Sequence, residues 1–422
     1  MDEAQITAAS WYPKAIATGL RSKDEAPTGF AAYRLSTRWG SLDLFAPLGV
    51  PNDDDWWSQV TTDAGWWGNA PDLSGAEISP LASDADWAWL AKLTSGEEYE
   101  IRCLPSDEHG NGRLLAELDC PLLRSAIGGL QYHGCDIILI MPAMTGNGAD
   151  VVISELVAAE DGDSLNSLAE KIGIALGQFA AVAGTAQRLP YTQRVWNDRL
   201  KKIEDLTKVN TLWRAPHSAD SSGTITHRNM GLSIVEIDGE KIHFAGCRDG
   251  FFNGLLKPAK INPALRDLGA VFTSLGQHLS QLGAGHYEPG MRAALLTGWK
   301  STAPVRWSSR SALDTHLGGV AIWEYEQHLQ AMAWSQALGE KSPSHSKDWL
   351  GRVSRVQAEM FVDRIWSVAG LSALVVGLWF SLSFIFSGFD PNDLLIAFPA
   401  MLIGWLFKWK YNSRARPPER PI

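Results

Sequence analysis

The stretch Ile225–Cys247, ITHRNMGLSIVEIDGEKIHFAGC, governs how the rest of the chain is read. Leu232–Ile237 and Lys241–Phe244 are short apolar-rich strands, and Asp238–Gly239 between them is a hairpin turn signal. Ahead of the hairpin, His227–Arg228–Asn229 places three polar side chains in succession between apolar neighbours. Downstream, Leu265, Leu268, Phe272, Leu275 and Leu279 recur at helical spacing. Upstream, a helix is expected from about Ser164 to Val182, with Asp163 or Ser164 as N-cap. Asp136–Met141 reads as a buried strand, and Arg113–Ala126 as a helix. Asp86–Leu93 and Glu98–Leu104 flank a turn at Thr94–Glu97, a second hairpin. A small strand-rich half therefore precedes a larger helical half, an α+β arrangement.

That order of elements, over roughly residues 76–340, resembles the protein-kinase-like superfamily and its aminoglycoside-phosphotransferase relatives. The resemblance implies a bilobal domain, with a small β-rich lobe at 76–145 and a larger helical lobe at 146–340. YEIRCL, Tyr99–Leu104, is similar to the strand carrying the ATP-contacting lysine, with Arg102 at that position. RLLAELDCPLL, Arg113–Leu123, looks like the helix whose glutamate pairs that lysine, and Glu117 is the match. DIILIMPAM resembles the strand entering the hinge. His227–Arg228–Asn229 falls on the catalytic loop, and Asp267 on the buried aspartate that supports it.

The departures bear on activity. Phosphoryl transfer needs one carboxylate to orient the nucleophile and others to hold Mg²⁺. Asn229 stands where the resemblance puts the catalytic aspartate, and an amide cannot accept a proton as a base. Gly246 stands at the Mg²⁺-binding aspartate, and the metal-ligand Asn position falls near Ser233. Leu81–Asp86 offers no glycine and two negative charges where a phosphate loop belongs. Arg102 keeps the lysine's charge without its point-like geometry. These substitutions together imply a pseudokinase, with no cofactor. Only a shifted register that recruits Asp249 as metal ligand restores ATP and Mg²⁺. Each residue also has a plainer reading: Arg102 with Glu117 as an ordinary ion pair, His227 and Arg228 bonded within a turn, Asp267 a structural acceptor.

The C-terminal part differs in composition. Trp366–Ser387 runs for 22 residues without Asp, Glu, Lys or Arg. At 1.5 Å per residue that is about 33 Å of helix, against about 30 Å of hydrocarbon. After the acidic connector Gly388–Asp393, Leu394–Phe407 forms a second apolar run, flanked by Lys408, Lys410, Trp405 and Trp409. Arg352, Arg355 and Arg364 precede the first run, and the tail beyond Phe407 is basic. The positive-inside rule then gives a two-span transmembrane hairpin at 366–410 with N- and C-termini cytoplasmic, and a basic tail at 411–422. Residues 341–365, with Leu350, Val353, Val356, Met360, Phe361 and Ile365 at helical spacing, read as a juxtamembrane amphipathic helix or as one packed on the soluble domain. The N-terminal segment lacks the apolar core of a signal peptide.

Residues 1–75 are aromatic and expected to be largely irregular, packed on or next to the kinase-like domain, with a short helix at Ile6–Leu20 followed by a strand around Phe30–Leu35. The paired Trp56–Trp57 and Trp66–Trp67, set among Gly, Pro and Asp, are expected on loops, either as anchors or as a partner-binding surface. The net charge of −10 over 422 residues excludes a generic nucleic-acid binder. The four cysteines show no ligand spacing, so a structural metal site is not expected. GxSxG and HExxH are absent. Three functions fit. A membrane-anchored pseudokinase scaffold would hold a cytoplasmic protein partner at a membrane complex, as membrane pseudokinase subunits of some bacterial secretion machines do. An atypical phosphotransferase would use Asp249. A structural subunit would serve a pigment or transport assembly in the bilayer.

Overall fold

The computed structural model describes residues 3–81, 87–108, 111–186, 189–190, 193–209, 222–246, 261–386, 390–420 and 422. Helix α1 (Glu3–Ala8) leads into strands β1 (Ala17–Lys23), β2 (Phe30–Thr37) and β3 (Gly40–Pro47). Helix α2 (Asp54–Thr61) follows, then β4 (Trp66–Gly68), β5 (Glu77–Pro80), β6 (Ala88–Lys92) and β7 (Glu98–Glu108). After the short α3 (Asn111–Ala116) come β8 (Gly128–Tyr132) and β9 (Cys135–Pro142). These strands form one antiparallel sheet in the order β1-β2-β3-β7-β9-β8-β4, with β5 paired to β6 and β6 to β7. The long β7 makes this possible: Glu98–Arg102 pairs with β6, and Ser106 farther along pairs with Leu44 of β3.

Residues 1–75 are thus not irregular. The expected helix at Ile6–Leu20 stops at Ala8, and β1 begins at Ala17. Strands β2 and β3 place Leu35, Leu42 and Leu44 in the same core as Ile101, Ile138 and Ile140 of the later strands. Trp56 and Trp57 lie on α2, which Asp53 caps by accepting from the Trp56 amide at 3.1 Å. The Gly and Pro signals around them mark the ends of that helix rather than a loop through it. Trp66 and Trp67 lie on β4 at the sheet edge.

The helical part contains α4 (Ala149–Ala158), α5 (Gly162–Ala186), α6 (Gln193–Thr207), α7 (Leu265–Gln281), α8 (Glu288–Thr302) and α9 (Ala321–Leu338). The hairpin Val235–Asp238 with Lys241–Phe244 packs beneath it, as the sequence led us to expect, although Leu232–Ile234 is a 3₁₀ turn rather than strand. The N-cap of α5 is neither Asp163 nor Ser164: Asp161 accepts from the Ser164 amide at 3.0 Å. Helices α5 and α8 cross closely because glycine faces backbone at the contact. A Cβ on Gly173 would sit 2.0 Å from the Leu295 carbonyl, and one on Gly298 2.1 Å from that of Glu170. Part of the tryptophan excess is core: Trp11, Trp87, Trp89, Trp299, Trp307 and Trp323 are among those buried. The molecule is therefore mixed α+β, with a β-rich N-terminal part and a helical C-terminal part.

The helix α10 (Ser344–Phe386) is continuous through the junction expected at residue 365. Its first turns join the lobe core through Trp349, Leu350, Val353, Val356 and Met360, whereas Phe361 and Ile365 face outward. Helix α11 (Pro391–Ser413) runs back along it and continues through Pro399. Both helices are long and apolar enough to cross a membrane. Gly370 and Gly404 let them approach, since a Cβ on Gly404 would meet the Gly370 carbonyl at 2.9 Å. Replacing Gly173 by valine is expected to destabilise the protein by about 1–3 kcal/mol or more, as overpacking does. The check is a lower thermal midpoint of the full-length protein in detergent.

Candidate functional site

The polar loop His227–Arg228–Asn229 is held from beneath by the first turn of α7. Asp267 Oδ2 accepts from the His227 amide at 2.8 Å and Oδ1 from the Arg228 amide at 3.3 Å. His227 is fully buried, its Nε2 2.8 Å from the Ala245 carbonyl. Arg228 adopts φ 68°, a left-handed conformation that costs a residue with a side chain about 1–2 kcal/mol. Its carbonyl accepts from Arg266 Nη1 at 3.1 Å. Arg266 Nε in turn meets Glu326 Oε2 at 3.1 Å, and Arg199 Nε meets Oε1 of the same carboxylate at 2.7 Å. Burial pushes the Asp267 carboxyl above its usual range, against the opposing pull of His227 and Arg266. Burial acts the same way on Glu326, but the two guanidiniums outweigh it and hold that carboxyl low. His227, Arg228 and Asp267 are thus brought together, all buried, as supports of a backbone turn. Asn229 is exposed at its tip.

Across the cleft, Arg102 and Glu100 alternate along β7 and so share one face of the sheet. Arg102 Nε and Nη2 grip the two Glu100 oxygens at 2.9 Å each, and both side chains are buried. The expected partner, Glu117, is elsewhere. The helix expected at Arg113–Ala126 ends at Ala116, ahead of Pro121, which lacks an amide hydrogen. Residues 122–124 instead run alongside Phe244: its amide donates to the Leu122 carbonyl at 2.7 Å, and the Arg124 amide donates to its carbonyl at 2.9 Å. Glu117 is left on the surface, paired with Arg113 at 3.2 Å. From the same short helix, the buried Asn111 reaches the Thr226 and His227 carbonyls, each at 3.4 Å.

Gly246 follows the strand Lys241–Phe244, buried. A Cβ built there would lie 2.1 Å from Met141 Sδ and 3.1 Å from the Arg124 carbonyl. Met141, opposite Glu100 in the sheet, thus fills the space a side chain at 246 would need. Among the described residues, the two positions at which the resemblance expects metal ligands hold Gly246, with Met141 Sδ packed against it, and an exposed Ser233. Asp249 and residues 82–86 lie outside the described residues. Among the described residues, no cluster of three His, Cys, Asp or Glu side chains could hold a metal ion.

One site residue had no signal in the motifs. Glu236, fully buried in the hairpin, accepts from Arg124 Nε at 2.6 Å, from Arg124 Nη2 at 3.1 Å, and from the amides of Thr145 and Gly146 at 2.7 and 2.8 Å. It ties the linker after β9 to the helical part. Burial raises its carboxyl, but Arg124 and the two amides outweigh that and hold it below the usual glutamate range. Of the four candidate binding tryptophans, Trp56 is buried and donates Nε1 to the Gly29 carbonyl at 2.7 Å. It is a core anchor and offers no surface. Trp57, Trp66 and Trp67 are half-buried, with the Trp57 and Trp66 rings edge-to-face at 6.0 Å.

No protein-family model matches the chain, and no curated protein matches it in sequence. Solved structures it is similar to include a glucosamine kinase, a choline kinase and an ethanolamine kinase. A glucosamine kinase is 11% identical, covering 82% of this chain and 92% of that one, with a TM-score of 0.47. A choline kinase from Cryptosporidium parvum is 10% identical, covering 69% and 92%, with a TM-score of 0.43. A Plasmodium vivax ethanolamine kinase is 10% identical, covering 67% and 81%, with a TM-score of 0.40.

Asp267→Asn leaves one carbonyl oxygen for two buried amides and sets an NH₂ group against a donor. The expected cost is about 1–3 kcal/mol, read as a lower thermal midpoint without any nucleotide present. Glu236 contributes stability that is complete above the ordinary glutamate range and is lost as pH falls through its lowered value. Midpoints measured across the acid range are expected to drop less steeply in Glu236→Gln than in the wild type.

Proposed function

We propose that this protein is a catalytically inactive, kinase-like subunit anchored in a membrane by its C-terminal hairpin, where it holds a cytoplasmic protein partner at a membrane complex. The observation that carries the reading is Met141 packed where a metal-binding side chain at Gly246 would have to stand. Two further features support it. Arg102 is committed to Glu100 on its own strand rather than facing a phosphate. Asn229 offers no base where phosphoryl transfer requires a carboxylate.

The partner surface we favour is the sheet edge at β4, where Trp66 packs against Trp57 on α2 and Trp67 occupies the opposite face of the strand. A half-buried aromatic cluster of this kind suits an interface anchor. Its neighbour Trp56 serves only to fix α2 in place. The membrane assignment rests on the length and apolar composition of α10 and α11. It is supported by the return of the segment after α11 to the soluble part, where Thr315 Oγ1 donates to the Arg416 carbonyl at 3.0 Å. Both ends of the hairpin then lie on the side of the kinase-like domain, the cytoplasmic side in this reading.

Nucleotide binding to the full-length protein in detergent tests the inactive reading, by thermal shift and calorimetry with ATP, with and without Mg²⁺. A ligand at about 100 times its Kd stabilises by roughly 2.7 kcal/mol, so binding would be plain. No shift is expected. A Mg²⁺-dependent shift would overturn the reading and make Asp249→Asn the next variant, in favour of a phosphotransferase. Gly246→Asp is expected to lower the midpoint, and Met141→Ala to recover part of that loss in the double variant, a coupling that neither single change shows.

A further inference from the structure

At the base of the hairpin the soluble lobe touches both long helices. The His316 ring meets the Tyr411 ring edge-on with centroids 4.5 Å apart, and His316 Nε2 lies 3.8 Å from Asp363 Oδ2. Thr315 Oγ1 donates to the Arg416 carbonyl at 3.0 Å, and Arg292 Nε to that of Glu419 at 2.9 Å. Arg416 also pairs with Glu359. Residues 414–419 therefore lie along the lobe as a strap. The turn Thr315–Leu317 stands within one side chain of the point where α10 and α11 leave their apolar stretches.

Two more short turns, Val305–Ser308 and Arg310–Leu313, lead into it. Val305 is 78% exposed, the most exposed large hydrophobic side chain among the described residues outside α10 and α11, and Leu317 is 41% exposed. On α10 itself, Phe361 and Ile365 are exposed ahead of Trp366, so apolar surface continues below the span. Arg310 is exposed and Arg306 partly so on the same short turns, and Arg364 on α10 and Lys408 on α11 are exposed at the ends of the apolar stretches. Exposed aliphatic tips among arginines, continuous with a spanning hairpin, match the headgroup layer of an anionic leaflet better than open water.

We propose that the segment Val305–Leu317 is a further membrane contact, with Val305 and Leu317 entering the interface and Arg306 and Arg310 meeting anionic lipid. The proposal rests on the reading of α10 and α11 as a membrane hairpin. The lobe then lies flat on the leaflet rather than hanging from the hairpin.

The test uses the full-length protein with Cys247→Ser, in nanodiscs of phosphatidylcholine with or without phosphatidylglycerol. Single nitroxides are placed through Val305→Cys, Leu317→Cys and, as a reference within the hairpin, Leu395→Cys. At the first two positions oxygen collisions are expected to exceed those with an aqueous nickel chelate. Nickel collisions should fall several-fold further with phosphatidylglycerol, and Arg306→Gln with Arg310→Gln should remove that added fall without changing the reference. Labels at 305 and 317 as open to nickel as in water, with 395 in the bilayer, would overturn this contact and leave the hairpin standing. Labels shielded from both reagents whatever the lipid would mark a protein contact and also overturn it. A reference label open to nickel would remove the hairpin and the proposal together.

Discussion

The carboxylate of Asp267 accepts from two consecutive main-chain amides, and the loop above it takes its shape from that contact. With the amides of His227 and Arg228 both turned toward one acceptor, the chain must pass through a left-handed residue at Arg228. No glycine relieves that conformation. The surroundings hold it instead: Arg266 bonds the Arg228 carbonyl, and Glu326 and Arg199 fix Arg266 in turn. Removing one member of such a buried set exposes the others to the full desolvation penalty. Helices α6, α7 and α9 are therefore pinned to each other through the same few charges that pin the loop.

A turn so firmly supported presents little at its tip. The buried charges beneath it are paired with one another, Met141 packs against Gly246, and Arg102 is bonded to Glu100. The support and the chemistry of a phosphotransferase are separable in this chain because they reside in different residues. Asp267 and His227 act on backbone, where no substrate is needed for them to have a role. Positions 229 and 246, where the resemblance expects groups that act on substrate and metal, carry an amide and a hydrogen. Glu236 extends the same theme, since its donors come from the linker and from Arg124, so the cleft is bounded by a fixed rather than a sliding contact.

Much of this was legible in the sequence where periodicity was strong. The apolar stripe from Leu265 to Leu279, the strand at Asp136–Met141 and the long uncharged run after Trp366 each have one reading, and the structure contains all three elements. Asp267 beneath the His227 loop was placed by the order of elements around it. Local signals misled where two of them competed. Arg113–Ala126 has good helix formers, but Pro121 and the pairing of its far end with Phe244 stop the helix early, which carries Glu117 away from Arg102. In the first 75 residues only the strand at Phe30–Leu35 was legible; β1, β3 and β4 were hidden because Gly, Pro and Asp lie around them and their burial does not alternate cleanly. Glu236 had no signal at all: a buried glutamate in a hairpin looks like a surface one until its donors from distant segments are known.

Helix α10 runs unbroken from Ser344 to Phe386, about 65 Å at 1.5 Å per residue. Its first turn is fastened inside the lobe, where Ser346 Oγ lies 3.0 Å from His328 Nδ1 and accepts from Gln277 Nε2 at 2.9 Å. A rod with no joint along its length behaves as a lever. Any tilt imposed on its apolar half must reappear as rotation of the lobe, and the return strap at Arg414–Glu419 resists bending at the junction. Mechanical load on the apolar half therefore reaches α7 and α9 undamped, and the sheet edge at the far end would swing through the largest arc.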